Sequence, residues 1–315
     1  DKLEAFLSEE LSLDPEGVRL EPTVTGKFNQ TWFVTSSELD GDRVLRIAPR
    51  PNRARMLFYE HLMMRQEPGI HERILEHTSC PVPRIVNHGM EEPRLDGCDY
   101  LLMERLAGSP IDFAGGPAMA QLGACLREVH DRIRPPAGIY GYLGEHHPMD
   151  PQPTWQQAFS DMWRRLHDDI RDCGGHDPST DRFYRDLLDR HIGCFAHYHS
   201  PASLLHMDVW AENILVDGNG NLTGLVDWDR ACWGDPEIEF AVLDYCGIST
   251  PEFWSGYSPR GVDPRDGDRD AAVRRIFYLL YEIQKYIVIR IVRHGDPDGA
   301  ERYRLMAREL AGQLG

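Results

Sequence analysis

The chain has 315 residues with a hydrophobic content of 41%, enough for one large domain or two lobes around a sizeable core. Its 51 acidic residues against 34 basic ones give a net charge of −17, which argues against a nucleic-acid partner, since phosphate backbones demand basic surface. The same charge suits a cationic small molecule and, equally, plain solubility.

In chain order, residues 1–11 read as a short amphipathic helix with Leu3, Phe6, Leu7 and Leu11 on one face. Residues 18–24 alternate like a strand, 25–30 turn, 31–35 return, and 43–47 form a further strand. Pro49, Pro51 and Asn52 precede a helix expected over 53–66, and helical character resumes over 70–77. Strands are expected over 82–89 and 100–104, with a turn between them at 93–99. From there the pattern becomes helical: 117–134, 155–172, 181–199, 238–245, 270–293 and 302–314. Residues 255–270, rich in Gly and Pro, read as a loop that could be mobile near a substrate. The composition shift near 104–110 divides an α+β chain into a strand-rich part, 1–107, and a helical part, 108–315, with a cleft between.

Seven scattered cysteines without a Cys-x-x-Cys pair point to reduced thiols in a cytoplasmic protein, with neither a disulfide framework nor a zinc site. No signal peptide is expected. The apolar stretch 276–292 is interrupted by Glu282, Lys285 and Arg290, so it reads as a core helix and not a membrane span.

Chemistry concentrates in residues 205–229. Asp208 and Asn213 lie five apart between apolar runs, then Asp217-Gly218-Asn219-Gly220 turns the chain back toward Asp227 and Asp229. Such a hairpin puts Asn213 and Asp227 at adjacent strand ends, with Asp208 on the loop before them. One carboxylate can orient an attacking hydroxyl and take its proton, while an amide and a second carboxylate offer Mg2+ the hard oxygen ligands it prefers. His206 reads as a structural histidine of the loop, since a lone histidine needs partners to bind metal. Earlier in the chain, Gly26 permits a sharp turn in Thr25-Gly26-Lys27-Phe28-Asn29-Gln30, and backbone N–H groups in such a turn can meet phosphate oxygens.

His206-x-Asp208-x-x-x-x-Asn213, followed by Val226-Asp227-Trp228-Asp229 and Gly234-Asp235-Pro236, resembles the catalytic core of the aminoglycoside phosphotransferase-like superfamily. The resemblance implies the bilobal protein-kinase-like fold and extends over nearly the whole chain. It implies Asp208 as catalytic aspartate, Asn213 and Asp227 as magnesium ligands, and Asp235 as the acid bracing the catalytic loop. The turn with Gly26, Lys27, Phe28 and Asn29 would cover the nucleotide phosphates. Arg46 stands where such kinases usually carry lysine, with Glu67 as its expected partner and Glu60 as the fallback. Met103 would sit beside the base, and the Glu104 carbonyl and Leu106 N–H would meet its edge. Met207 departs from the Gly that many members have there.

The implied cofactors are ATP, with GTP open, and Mg2+. The partner is a small hydroxyl-bearing molecule, polar or cationic. Asp229, Trp233 and Glu239 are the expected substrate contacts, because carboxylates beside aromatic faces suit a cation. The leading expectation is an antibiotic O-phosphotransferase conferring resistance. The alternatives are a metabolic kinase for a choline, amino-sugar or sugar-like acceptor, and a catalytically silent nucleotide-binding regulator.

Overall fold

The computed structural model describes residues 2–23, 28–50, 57–112, 116–135, 138–144, 146–196 and 201–314. Five strands build one antiparallel sheet: β1 (Arg19–Pro22), β2 (Gln30–Thr35), β3 (Arg43–Ile47), β4 (Ile85–Glu92) and β5 (Cys98–Glu104), in the order β1-β2-β3-β5-β4. Successive residues of a strand face opposite ways, and β5 uses both faces. Leu102 packs with Val34, Leu45 and Ile47 under helix α1 (Lys2–Leu11), which contributes Phe6 and Leu7. Leu101 and Met103 face the other way, against Met64 and the side of the sheet that meets the cleft.

The helix expected over 53–66 is corrected. Residues 53–56 lie outside the described ones, and the remainder is turn followed by a 3-10 helix, Met63–Gln66. Leu62 enters the left-handed region at φ 57°, which ends any α-helical run. Leu57, Phe58 and Tyr59 are instead buried in the large helical core, so packing with distant residues overrides the local period. Helix α2 (Glu67–His77) starts three residues earlier than expected, with Pro68 in its first turn where a missing N–H costs nothing.

The second part is helical: α3 (Ala118–Arg132), α4 (Trp155–Asp172), α5 (Pro178–His191), α6 (Gly193–Ala196), α7 (Pro236–Tyr245), α8 (Pro251–Tyr257), α9 (Arg269–Val288) and α10 (Pro297–Gly312). Two small sheets sit among them. One pairs β7 (Ser203–Leu205) with β10 (Cys232–Gly234); the other joins β6 (Ser109–Pro110), β8 (Ile214–Val216) and β9 (Leu222–Leu225). The expected hairpin is thus β8–β9, with Ile214 opposite Leu225. One core gathers α4, α5, α9 and α10, and takes in Leu205 and Met207. Another gathers α3, α7 and α8, and takes in Leu204, Val209 and Ile214. The segment carrying Asp208 is therefore pinned on both sides by apolar residues in two separate cores.

Two further expectations are corrected. Part of the predicted 255–270 loop belongs to α8, which lies on α3 where glycines let the backbones touch: a Cβ on Gly256 would stand 1.8 Å from the Ala120 carbonyl oxygen. This segment lines no part of the cleft. Cys80 and Cys125, separated by 45 residues, are joined by a disulfide, a pairing that only tertiary proximity reveals; Cys98, Cys173, Cys194, Cys232 and Cys246 are free. Among the described residues, no helix is long and apolar enough to cross a membrane.

Candidate active site

A cleft of about 1380 Å³ runs between the sheet and the helical part. That exceeds the ~300–1,000 Å³ usual for one small ligand and leaves room for two. Asp208 lines it. The loop around it is fixed from below by Glu239 of α7, whose Oε1 accepts from the backbone N–H groups of His206 and Met207, both at 2.7 Å. The other oxygen, Oε2, lies 2.7 Å from Nε2 of His130 on α3. Burial would raise the Glu239 pKa, but hydrogen bonding and charge from His130 hold it below the ordinary value. His206 is the structural residue expected: its Nδ1 accepts from the Asp208 N–H at 3.2 Å, its Nε2 donates to the Val226 carbonyl at 2.9 Å, and its ring lies against Trp228. The Asp208 carboxylate meets the Arg230 guanidinium at 2.5 Å. Burial pushes this carboxyl up, but Arg230 and then Lys285 more than offset it and leave the group easier to ionise than usual.

Asn213 donates its amide N–H to the Asp208 carbonyl at 2.9 Å, which turns Oδ1 toward other partners. Its backbone carbonyl accepts from the Val226 N–H at 3.0 Å, so the strand ends are adjacent and Asp227 stands beside Asn213. Met207 and Asp227 both hold left-handed backbone, at φ 65° and 69°. Such strain persists only where surroundings over-determine it, and it clusters at functional sites.

At the sheet end, Arg46 of β3 contacts both oxygens of Glu67 at 2.6 Å, and reaches Asp227 at 2.5 Å and Asp229 at 3.1 Å. Glu67, not Glu60, is thus the partner. Glu60 instead meets Arg293 at 3.0 Å. Asn29 donates to Asp229 at 3.0 Å, and Gln66 donates to the Asp229 carbonyl at 2.5 Å. The ligand oxygens of Glu67, Asp227 and Asp229 lie within 4.8 Å of one another. Burial, and then the neighbouring carboxylates, push Asp227 and Asp229 above the ordinary range, partly relieved by Arg46. Carboxylates so crowded favour a cation among them. The residues therefore fit a hard divalent ion.

Most of the expected site residues meet in this one cleft. Phe28, Asn29, Arg46, Met103, Glu104, Leu106, Asp208, Asn213, Asp227 and Asp229 all line it, with Met103 buried opposite Val44 on the sheet wall. Glu67 lies directly behind Arg46. Gly26 and Lys27 lie outside the described residues. Three expectations are corrected. Trp233 belongs to β10, is buried in the α3–α7–α8 core and does not reach the cleft. Glu239 braces the catalytic loop and is likewise absent from the cleft wall. Asp235 caps α7 and accepts from the Tyr278 hydroxyl at 2.7 Å, so the bracing bonds to residues 206 and 207 come from Glu239. Asp229 does reach the cleft, but on the Arg46 side beside Asp227. Sequence reasoning missed Arg230 and the buried Glu282–Lys285 pair, 2.5 Å apart on α9. The signal for the pair was two charges three residues apart inside an apolar helix.

This arrangement, a small antiparallel sheet over a helical part with clustered carboxylates in the cleft between, is that of a kinase-like phosphotransferase. A sequence model of the phosphotransferase enzyme family matches residues 21–258. The chain belongs to that family and is a small-molecule kinase. A probable ketoamine kinase of Vibrio cholerae is 26% identical over 288 residues, covering 88% of each chain. Viomycin phosphotransferase of Streptomyces vinaceus is 26% identical over 163 residues, 49% of this chain and 51% of its own. Aminoglycoside phosphotransferase APH(4)-Ia, in a ternary complex with AMP-PNP and hygromycin B, superposes with a TM-score of 0.67 over 100% of this chain and 98% of its own, at 17% identity. A putative fructosamine-3-kinase of Thermobifida fusca superposes with a TM-score of 0.64 at 17% identity, over 94% of this chain and 93% of its own.

Proposed function

We propose that this chain transfers the γ-phosphoryl group of ATP to a hydroxyl of a small sugar-like molecule. The observation that carries the reading is the convergence of Asp208, Asn213 and Asp227 in one cleft, with the Arg46–Glu67 pair alongside. Asp208 accepts the acceptor's proton as its oxygen bonds to the γ-phosphorus. The bond from that phosphorus to the β,γ-bridging oxygen breaks, and ADP leaves with the electron pair. The carboxylate held ionised by Arg230 suits this role, and general-base assistance contributes about 10²–10⁴-fold. Most of the remaining rate comes from positioning. Asn213 and Asp227 would hold Mg2+, with Asp229 adjacent, and the ion would neutralise charge on the phosphates. Adenine would lie against Met103 at the end of β5; the Leu106 N–H, which has no intramolecular partner among the described residues, would donate to its edge.

A sugar-like metabolite is supported over an antibiotic by the relatives that span most of the chain, which include probable ketoamine kinases. The antibiotic reading draws on the viomycin enzyme and the hygromycin complex. The assembled carboxylates speak against a silent regulator. The test is ADP release across a panel of ketoamines, amino sugars, choline, aminoglycosides and peptide antibiotics, with mass spectrometry of each product. Gain of one phosphate, lost in Asp208→Asn while nucleotide still binds, supports the reading. Turnover retained by Asp208→Asn refutes it.

A further inference from the structure

Beyond Asp208, the cleft is walled by the end of α7, by α9 and the π-helical turn after it, and by α10. On a chain of net charge −17, this end is cationic. Arg230, Lys285, Arg290, Arg293 and Arg302 all line it. Glu60, Asp208, Asp244 and Glu282 line it too, but each of these acids is already engaged. Asp208 holds Arg230, Glu282 holds Lys285 and Glu60 holds Arg293. Asp296 meets Arg290 only at 3.5 Å while capping α10. Asp244 also lines the cleft but is taken by Arg265 and Arg275, each at 3.0 Å, from outside it.

Two groups are left over. Arg302 is exposed and makes no ion pair or hydrogen bond among the described residues. Arg230 is 8% exposed, and among the described residues its Nε and Nη2 have no hydrogen-bond partner, Glu282 Oε2 standing 4.0 Å from Nη2. A buried donor without a partner costs about 1–3 kcal/mol, more for a charged group, so a cleft that keeps one is shaped for an acceptor arriving with a ligand. Tyr286 and Tyr303 stack at 5.0 Å between these cations and supply a flat apolar wall.

We propose that the phosphate acceptor is an oxyanion-bearing hydroxyl compound, with its carboxylate or phosphate held by Arg302 and Arg290 and its polar oxygens taking the free N–H groups of Arg230. This rests on the phosphotransfer reading above and names the substrate class of the same site. A polycationic aminoglycoside would meet like charge at this wall. The net charge of the whole chain does not describe the field inside one cleft.

The experiment compares matched acceptors with Mg-ATP: a fructosyl amino acid against its carboxamide, and a sugar phosphate against the parent sugar. Hydrogen bonds to a charged group correspond to a preference of about tenfold or more in kcat/KM for the charged member. The pair that shows it identifies the oxyanion. Arg302→Ala combined with Arg290→Ala, both on the cleft rim, removes that preference by lowering kcat/KM for the charged member toward that of the uncharged one. Equal turnover of both members in both pairs overturns the inference while leaving the kinase reading intact. So does a preference that survives the double variant. Turnover of no hydroxyl compound, with nucleotide bound, refutes the kinase reading and this inference with it.

Discussion

Glu239 offers the sharpest test of how the active site is built. It is fully buried, and its two oxygens receive the N–H groups of His206 and Met207 and Nε2 of His130. Glu239→Ala strands three buried donors. Each unsatisfied donor costs about 1–3 kcal/mol, and breaking a buried charged network costs about 3–5 kcal/mol in total, because such losses do not simply add. The same change frees the loop that carries Asp208. A displacement near 1 Å at a reacting group costs about 100-fold in rate. Glu239→Gln keeps an oxygen for the two backbone donors and loses only the charged contact to His130, for about 1–2 kcal/mol. Urea unfolding gives the stability change through the midpoint at constant slope, and steady-state kinetics gives kcat and KM. The expected result for Ala is a lower midpoint and a lower kcat, with the acceptor KM little moved and Gln largely rescued. An Ala variant with wild-type midpoint and kcat but a raised acceptor KM would refute the bracing role and restore Glu239 as a substrate contact.

Arg46→Ala leaves three clustered carboxylates without their cation, an effect of about 3–5 kcal/mol, and should abolish nucleotide turnover, whereas Arg46→Lys keeps one charge and should retain activity within about tenfold; isothermal titration with nucleotide and initial rates check both. Met207→Gly relieves about 1–2 kcal/mol of left-handed strain but removes a fully buried side chain worth about 2–5 kcal/mol, so it should lower the unfolding midpoint and leave kcat within a few-fold. Loss of turnover there would show that Met207 does more than pack. Burial, reinforced by Arg304, lowers the His176 pKa to about 4 from 6.5, and His167 beside it shifts the same way. The unfolded chain takes up these protons before the folded one. Stability is therefore fully present above pH 6.5 and falls as pH drops toward 4, by up to about 3 kcal/mol for His176. Urea midpoints of wild type and His176→Gln between pH 7.5 and 4 should converge on acidification, and parallel curves would contradict this.

Much of the catalytic centre was legible because its parts are close in sequence or obey a short period. Asp208, Asn213 and Asp227 lie within twenty residues, and the β8–β9 hairpin between them is set by the turn residues Asp217 to Asn221. The places of the first strands and the helical second part followed from alternation and helix period, both local signals, whereas the Arg46–Glu67 pairing was implied by the family resemblance. What stayed hidden depends on residues brought together from far apart. Glu239 reads on paper as one more acid near the cleft, and only the packing of α7 beneath the loop makes it the acceptor for residues 206 and 207. Trp233 looked like a substrate aromatic until β10 paired with β7 and turned it into the core. The Cys80–Cys125 bond links residues whose spacing carries no signal. The acceptor end shows the same limit. Net charge is a sum over the whole chain, and it suited a cationic ligand and plain solubility equally. Folding places α9, the turn after it and α10 so that their arginines share one wall, and it pairs Asp244 with Arg265 and Arg275 outside the cleft. Sequence determined the chemistry through local spacing. Tertiary structure decided what holds Asp208 in place and which side chains line the cleft around it, because both depend on distances that no local pattern encodes.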